Sequence, residues 1–454
     1  MAGEEVTQGR DVGFILEQGD ISKPPTGRPV IYATNGIISS GHYLTSMAGM
    51  RMLMSGGNAF DALVSATFAA AVVEPIASYS LGAEAVFMFH DTGTGDFLSL
   101  SGQGTVSSRA TPEFFKSKGH DSIPTGPGKD APLSFTVPGV AAACFSMLEK
   151  YGTKSVQEIL SVSIEYAERG IPNYEYMTGR LDAGDAVSQF ELFPPGGLDI
   201  FFNEGEIPDS GTLLVQDSLG RTFRAMSEAA DNAGPNRLAG ISAAKDCFYS
   251  GDIASAISDA SRNVDGILDK SDLENYEPKY SEPVGTTYLG YGVHGHSTWT
   301  QGPVLQQALN ILECFDLKSM GHNSVEYIHT VTEALKLALA DREAFYGDPD
   351  FASVPVDGLL SKHYASERSK EIDPMKAYPG MPSYGNPWAY SGLHGEVSPQ
   401  PSYDSGGPMD LQHESGTTHI TVMDAHGNMA CSTPSGGAFN TSVFFPELGF
   451  AIST

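Results

Sequence analysis

The chain has 454 residues, of which 41% are hydrophobic and 18% are charged, a composition typical of folded globular proteins and not of disordered ones. The formal net charge of −29 argues against nucleic acid as a partner, because an acidic surface repels the phosphate backbone. The N-terminus lacks a basic segment followed by an apolar one, and the longest apolar run is residues 66–73. We therefore expect no membrane span, and a cytoplasmic location, or a secreted or periplasmic one if a signal peptide was trimmed.

The first residues of the chain, 1–27, are polar and punctuated by proline and glycine, which predicts a loosely held arm. Residues 59–73 are rich in alanine and apolar all round, which is typical of a buried helix. The other helical patterns are residues 46–54, 139–151, 155–169, 305–312 and 325–345, and the strand patterns are residues 30–33 and a hairpin of 85–90 with 98–100. Helices mixed with short strands and hairpins predict sheets covered by helices.

Two further segments lack regular patterns. The acidic spacing of residues 263–269 does not fit a calcium loop, so we interpret the segment as a turn before Leu273. Residues 374–412 are dense in Pro, Gly, Ser and Tyr and predict a long irregular segment, of the kind that serves as a lid or a processing region. The four cysteines are far apart and predict buried free thiols instead of a metal site or disulfides.

A glycine and two threonines, Gly416-Thr417-Thr418, precede a run in which polar and apolar residues alternate. With a turn at 425–428 and a second run at 429–433, this pattern predicts a β-hairpin. Glycine tolerates strained backbone, so the Thr417 hydroxyl could attack the Gly416 carbonyl and cut the chain there. The new N-terminal Thr417 would then carry both a hydroxyl nucleophile and an α-amine to act as its base. The alternative is an ordinary threonine at the start of a strand.

Several blocks, in order along the chain, resemble the γ-glutamyltranspeptidase family of N-terminal nucleophile hydrolases. The blocks are residues 56–62, 72–75, 138–140 with 150–153, 272–276, 306–317, 333–336 with 340–342, 347–351 and 417–428. The resemblance implies an α+β fold that is a four-layer αββα sandwich, with self-cleavage at the Gly416–Thr417 processing site. It further implies amide opening through an acyl-Thr417 intermediate that passes to water or to an acceptor amine, without a metal or organic cofactor.

The resemblance also implies roles for individual residues. A hydroxyl about eighteen residues after the nucleophile supports the amine in the family, which places Ser435 in that role, with Thr433 as its substitute. Thr418 joins the predicted substrate-binding residues. His419 belongs to the motif, and we expect it to pack or orient the strand and not to act as a base.

The chain departs from the family at the substrate pocket. Gln103 stands where the family has an arginine that pairs with the substrate's α-carboxylate, and a neutral amide cannot neutralise that charge. Arg109 lies six residues further on, at the edge of the aligned block. Gly437 replaces a family asparagine, for which Asn440 is the candidate replacement.

The second departure is the length of the segment after the processing site. Residues 417–454 form a much shorter segment than the family's small subunit, and the family's oxyanion glycines, serine pair and acidic residue would lie beyond Thr454. We therefore expect the domain to divide into 28–416 and 417–454, with the remaining small-subunit segment as a partner in a heterodimer of processed subunits.

Three hypotheses follow from the sequence. The first is a self-processing enzyme that cleaves γ-glutamyl amides such as glutathione. The second keeps the fold and the nucleophile but assigns a different small amide or acyl-amide substrate, because of Gln103. The third is an unprocessed, non-catalytic homologue.

Overall fold

The computed structural model describes residues 30–393, 416–437 and 439–454. Contacts divide the chain into the units Met1–Thr34 and Asn35–Thr454. Of the first unit, residues 30–34 are described; they are exposed and form no regular structure, and the predicted arm at 1–27 lies outside the described residues. The strand predicted at residues 30–33 is wrong. Strands are stabilised by pairing, and among the described residues the first paired segment begins at Gly36.

The second unit combines helices with short strands. The strands are β1 (Gly36–Ser39), β2 (Glu84–His90), β3 (Phe97–Gly102), β4 (Ile171–Pro172), β5 (Leu213–Leu214), β6 (Lys279–Ser281), β7 (Val284–Tyr288), β8 (Tyr291–Gly295), β9 (Ile420–Asp424), β10 (Met429–Ser435), β11 (Phe444–Phe445) and β12 (Phe450–Ala451). The helices of the first half are α1 (Tyr43–Met54), α2 (Ala59–Val73), α3 (Pro112–Ser117), α4 (Val140–Tyr151), α5 (Val156–Arg169), α6 (Glu175–Asp182), α7 (Asp185–Leu192), α8 (Gly196–Phe201) and α9 (Asp217–Asn232). Those of the second half are α10 (Arg237–Tyr249), α11 (Asp252–Asn263), α12 (Lys270–Glu274), α13 (Pro303–Leu312), α14 (Leu317–Met320), α15 (Val325–Phe345), α16 (Val356–Leu359) and α17 (Lys362–Ser369). Short 3₁₀ turns lie at Pro75–Ala77, Ala131–Ser134 and Pro387–Tyr390.

Six antiparallel strands form the main sheet, in the order β1-β9-β10-β2-β3-β6. The hairpins β2–β3 and β9–β10 therefore lie side by side, although more than 300 residues separate β2 from β10 in the chain. This pairing places Ser435 at the end of β10 opposite Glu84 at the start of β2. The residues that end β10 and those that begin β2 consequently share one edge of the sheet.

The two faces of the main sheet have different surroundings. Side chains alternate between faces along a strand, and on one face Phe87, Ile420 and Val422 are fully buried, with α2 packed over β9 and β10. The helix α2 is itself buried along its whole length and begins with a capping box between Asn58 and Asp61. On the opposite face, Met423 and its cross-strand partner Met429 are about 40% exposed.

Most of the predicted elements are present with small shifts in their ends. The helices predicted at 59–73 and 325–345 are confirmed with the same bounds, and the helices predicted at 46–54, 139–151, 155–169 and 305–312 are confirmed within a few residues. Both predicted hairpins form, and residues 263–269 lead from α11 into α12 as a turn. The described part of the predicted irregular segment, 374–393, contains only the short 3₁₀ turn; the rest lies outside the described residues.

All four cysteines are free thiols, and Cys144 is buried as expected, but Cys314 is exposed, so the prediction of burial is wrong for it. Cys314 follows the end of α13, where the chain turns towards solvent. None of the helices within residues 30–393, 416–437 and 439–454 is both long enough and apolar enough to cross a membrane.

Candidate active site

Thr417 lies three residues before the start of β9, at the edge of the sheet where β10 ends. The hairpin that carries it is fixed at its far end by Asp424, whose carboxylate accepts hydrogen bonds from the backbone N–H groups of His426 (2.8 Å) and Asn428 (3.1 Å). Asp424 also accepts a bond from the Ala59 N–H at the start of α2 (2.9 Å). These contacts tie the turn end of the hairpin to the start of the buried helix α2.

Two hydroxyls and one carbonyl meet at the predicted processing site. Thr417 Oγ1 lies 3.1 Å from Ser435 Oγ, and Ser435 Oγ donates to the Gly416 carbonyl oxygen at 3.3 Å. Because Ser435 gives its single proton to Gly416, Thr417 is the donor in the other contact. The Thr417 hydroxyl is therefore linked through Ser435 to the carbonyl of the residue before it, and Ser435 donates to the oxygen on which negative charge would develop during self-cleavage.

The structure separates Ser435 from its alternative, Thr433. Thr433 lies two residues earlier on the same face of β10, but its hydroxyl is 2.8 Å from His419 Nδ1. The other ring nitrogen of His419 lies 2.9 Å from Thr421 Oγ1. Burial lowers the pKa of His419. These contacts suit the predicted orienting role of His419 and place Ser435 against Thr417.

Glu74 and Ser78 are site residues to which the sequence analysis assigned no role. Glu74, at the end of α2, is 5% exposed and accepts hydrogen bonds from Thr45 Oγ1 (2.5 Å) and Thr418 Oγ1 (2.8 Å). Burial raises its pKa, an effect that the two hydroxyl bonds partly offset. Ser78 Oγ accepts a hydrogen bond from the Gly416 N–H at 3.1 Å. Glu74 belongs to the block 72–75 that resembles the family, but no local pattern in the sequence indicated which residues it would contact.

A cavity of about 470 Å³ borders Gly416 and Thr417. Its wall includes His42 and Tyr174, whose ring centroids are 4.8 Å apart, and the exposed Tyr176. Burial lowers the pKa of His42, which favours the neutral ring. Thr418, a predicted substrate-binding residue, is 4% exposed, and its hydroxyl donates a hydrogen bond to Glu74.

Gln103 lies in a second cavity, one strand beyond Glu84. Glu84 faces Ser435 across the β2–β10 pair and accepts a hydrogen bond from the Gly104 N–H at 3.1 Å. Two strand spacings thus separate Ser435 from the end of β3, a distance of roughly 10 Å. The cavity measures about 440 Å³, and its lining includes Lys279 and Trp299.

The other two predicted binding residues lie elsewhere. Arg109 lines a cavity of about 1040 Å³ with Lys118 and Arg262, and none of the described residues that line it also line the cavity at Thr417. Asn440 is buried in the turn after β10. The structure therefore brings Thr417, Gly416 and Ser435 together, and it sets Arg109 apart from them.

The arrangement is suited to nucleophilic chemistry by a hydroxyl. No cluster of three or more metal-binding side chains occurs within the described ranges 30–393, 416–437 and 439–454. What converges at the edge of the sheet is a nucleophilic hydroxyl, a second hydroxyl able to donate to a developing oxyanion, and a glycine carbonyl.

Comparisons with known proteins agree on one family. The family model described as Gamma-glutamyltranspeptidase matches residues 45–454. The chain is 29% identical over 452 residues to the glutathione hydrolase proenzyme of Bacillus subtilis strain 168, covering 97% of this chain and 72% of that protein. The solved structure of LmbA2991T421A is similar with a TM-score of 0.83 and 32% identity, covering 94% of this chain and 72% of the other. The crystal structure of cephalosporin acylase from Bacillus halodurans is similar with a TM-score of 0.77 and 27% identity. The match covers 97% of this chain and 73% of that chain.

Proposed function

Because this chain belongs to the γ-glutamyltranspeptidase family and has its α+β fold of the N-terminal nucleophile hydrolase type, we propose that it is a self-processing threonine amidohydrolase or acyltransferase. The observation that supports this best is the chain of contacts from Thr417 Oγ1 through Ser435 Oγ to the Gly416 carbonyl. The similar Bacillus subtilis protein is named a proenzyme, which fits activation by cleavage.

Self-cleavage begins with attack of Thr417 Oγ1 on the Gly416 carbonyl carbon. The carbon–nitrogen bond between the two residues breaks, the hydroxyl proton ends on the released nitrogen, and an ester joins Gly416 to the Thr417 oxygen. Ser435 donates to the carbonyl oxygen as it becomes negative. Water then hydrolyses the ester, which leaves a carboxylate on Gly416 and a free amine and hydroxyl on Thr417.

Turnover repeats this chemistry on a small-molecule amide. The free amine of Thr417, with an ordinary pKa of about 7.7–8.0, takes the hydroxyl proton as Oγ1 attacks the substrate carbonyl. The leaving amine departs with a proton, and the acyl group remains on Thr417. Water or an acceptor amine then removes the acyl group and restores the hydroxyl.

The first candidate substrate class is γ-glutamyl amides, including glutathione, which appears in the name of the Bacillus subtilis relative. The second is a different acyl amide, supported by the uncharged Gln103 in the cavity beyond Glu84 and by the similarity to a cephalosporin acylase. A chromogenic γ-glutamyl anilide separates the two. Turnover supports the first, whereas no turnover by a processed enzyme supports the second, and restored turnover in Gln103→Arg would identify the cause.

The processed protein is proposed to consist of the segments 28–416 and 417–454, the latter as part of a small subunit with a further segment. The half-exposed face of the main sheet at Met423 and Met429 supports this organisation, because a four-layer sandwich buries both faces of its sheets.

We expect Thr417→Ala to abolish both cleavage and amide turnover, because it removes the only atom assigned to attack. Thr417→Ser keeps a hydroxyl and should retain both in part. Denaturing electrophoresis and N-terminal sequencing report cleavage between Gly416 and Thr417. Thr421→Ala, in the strand β9 that follows Thr417, serves as a control and should cleave normally. An uncleaved wild-type chain that still consumed an amide would refute the mechanism, and one that neither cleaves nor turns over would support a non-catalytic homologue.

A further inference from the structure

The short segment Glu74–Ser78, which we call the 74–78 turn, contacts both neighbours of the nucleophile. Glu74 Oε2 accepts from the hydroxyl of Thr418, and Ser78 Oγ accepts from the N–H of Gly416. We propose that this turn is a clamp that positions Thr417 for self-cleavage, with Ser78 acting only before cleavage and Glu74 acting before and after it. The proposal rests on the proposed function and assigns to Glu74 and Ser78 the role of positioning residues.

The Ser78 end of the clamp fixes the peptide that is to be cut. Ser78 is fully buried and adopts a left-handed conformation, with φ of 55° and ψ of 33°. A non-glycine residue is rarely found there and is maintained only by its surroundings. Gly416 lies so close to the turn that an added Cβ would be 2.8 Å from Ala77 Cα and 2.9 Å from the Ile76 carbonyl oxygen. Gly416, which supplies the carbonyl group of the scissile peptide, therefore packs directly against the 74–78 turn.

The Glu74 end of the clamp fixes the residue after the nucleophile. Glu74 is held from the other side by Thr45 of α1, so its carboxylate is anchored to the helical layer when it accepts the Thr418 hydroxyl. Gly41 passes so close that an added Cβ would overlap both Glu74 Oε2 and Thr418 Oγ1. The Glu74 carboxylate is thus enclosed by the hydroxyls of Thr45 and Thr418 and by the backbone of Gly41.

Together these contacts restrict the geometry of attack. With Gly416 and Thr418 both tied to five consecutive residues, the peptide at Thr417 has little freedom to rotate. Ser435 also contacts the Gly416 carbonyl oxygen and the Thr417 hydroxyl. Attack by a neighbouring hydroxyl depends on such alignment, and small displacements reduce the rate greatly.

The two ends of the clamp differ in what happens after cleavage. Gly416 becomes a chain terminus that is free to leave, so Ser78 loses its partner. Thr418 remains joined to Thr417, so Glu74 keeps its partner and continues to orient the nucleophile. This difference separates a positioning role from a general effect on folding.

The test measures two rates for each variant of the full chain: self-cleavage, followed by electrophoresis after refolding or rapid synthesis, and turnover per cleaved molecule. Ser78→Ala and Ser78→Gly should both slow cleavage about 5- to 10-fold through the lost hydrogen bond, and both should keep turnover within about two-fold. Because glycine relieves the left-handed strain, normal or faster cleavage in Ser78→Gly would show that the hydroxyl does not matter and would overturn the proposal.

Glu74→Gln should lower both the cleavage rate and kcat, with KM within about two-fold, because Glu74 acts through Thr418. Thr418→Val should have the same effect, and the double variant should be no worse than either single variant. Additive effects, or a Glu74→Gln variant with a normal cleavage rate and kcat, would overturn this half of the proposal.

Ser80→Ala is the matched control. Ser80 follows the turn by two residues and is also buried, but its hydroxyl bonds the Ala451 carbonyl instead of the processing site. The Ser80→Ala variant should cleave itself and turn over substrate at the normal rates. If Ser80→Ala and Ser78→Ala slowed self-cleavage equally, the effect would be a general one on folding and the clamp proposal would be overturned. If Thr417→Ala were still cleaved, the proposed function would fail, whatever the clamp variants did.

Discussion

At the scale of single residues, the proposed chemistry depends on how two hydroxyl protons are arranged among three oxygens. Ser435 gives its proton to Gly416, and Thr417 gives its own to Ser435. In the proposed mechanism, the Ser435 hydroxyl both polarises the nucleophile and stabilises the oxyanion. The neutral amide of Gln103 lines a separate cavity, roughly two strand spacings from Ser435, and in the proposed function it affects which acyl group is accepted.

We expect Ser435→Ala to slow self-cleavage by roughly 10- to 100-fold, the value of a hydrogen bond of 1.5–3 kcal/mol to a developing charge. Electrophoresis over time measures the rate. Thr433→Ala is the control, because its hydroxyl is engaged by His419, and it should stay within about three-fold of the wild type. Slow cleavage in Thr433→Ala together with normal cleavage in Ser435→Ala would reverse the assignment.

At the scale of elements, the β9–β10 hairpin joins the nucleophile to the core. Its buried face rests on α2, and its other face carries the ladder Thr433–His419–Thr421. A neutral imidazole can accept at one nitrogen and donate at the other, so it can bond both threonines. A protonated imidazole could only donate, and the lowered pKa of His419 disfavours that form.

The ladder gives a prediction about pH. Because the pKa of His419 is lowered in the folded state, its contribution to stability is present above the unfolded value of about 6.5 and is lost as the pH falls through the folded value. The wild type should have a larger unfolding free energy than His419→Gln at about pH 7.5, and this difference should decrease as the pH falls to about 5. Denaturant titrations at several pH values measure it. A constant or growing difference on acidification would contradict the role assigned to the ring.

At the scale of the whole molecule, a buried ion pair connects the second half of the chain to the segment that leads towards the processing site. Asp341 of α15 and Arg368 of α17 lie 3.3 Å apart, with 0% and 2% of their side chains exposed. Asp341 accepts from the Gly385 N–H (2.9 Å), and Arg368 donates to the Ser383 carbonyl (2.9 Å). The pair therefore holds residues 383–385 against two helices.

We expect Asp341→Asn to destabilise the protein by about 3 kcal/mol, the lower end of the range for breaking a buried ion pair, because the buried Arg368 charge then keeps only its pair with Glu371, which is 40% exposed. Thermal or denaturant unfolding measures the change. Asp350→Asn is the matched control: its pair with Lys279 is largely exposed, and its loss should cost at most about 1 kcal/mol. Equal costs for the two variants would show that the buried pair does not anchor the segment.

The sequence by itself determined the features that depend on neighbours along the chain. The periodicity of α2 and α15 and the turn between β9 and β10 are encoded within a few residues, and so is the Gly416-Thr417 pair with its chemistry. The ordered blocks of the family added the fold. The strand predicted at 30–33 failed because an apolar run forms a strand only where a partner is available.

Only the tertiary structure decided which side chains meet the nucleophile. Counting along β10 left both Ser435 and Thr433 open, and their distances from Thr417 and His419 separated them. Ser78 and Gly416 are 338 positions apart, and Glu74 and Thr418 are 344 apart. Contacts over such separations arise when β10 pairs with β2, and no local pattern of hydrophobic or polar residues carries that information.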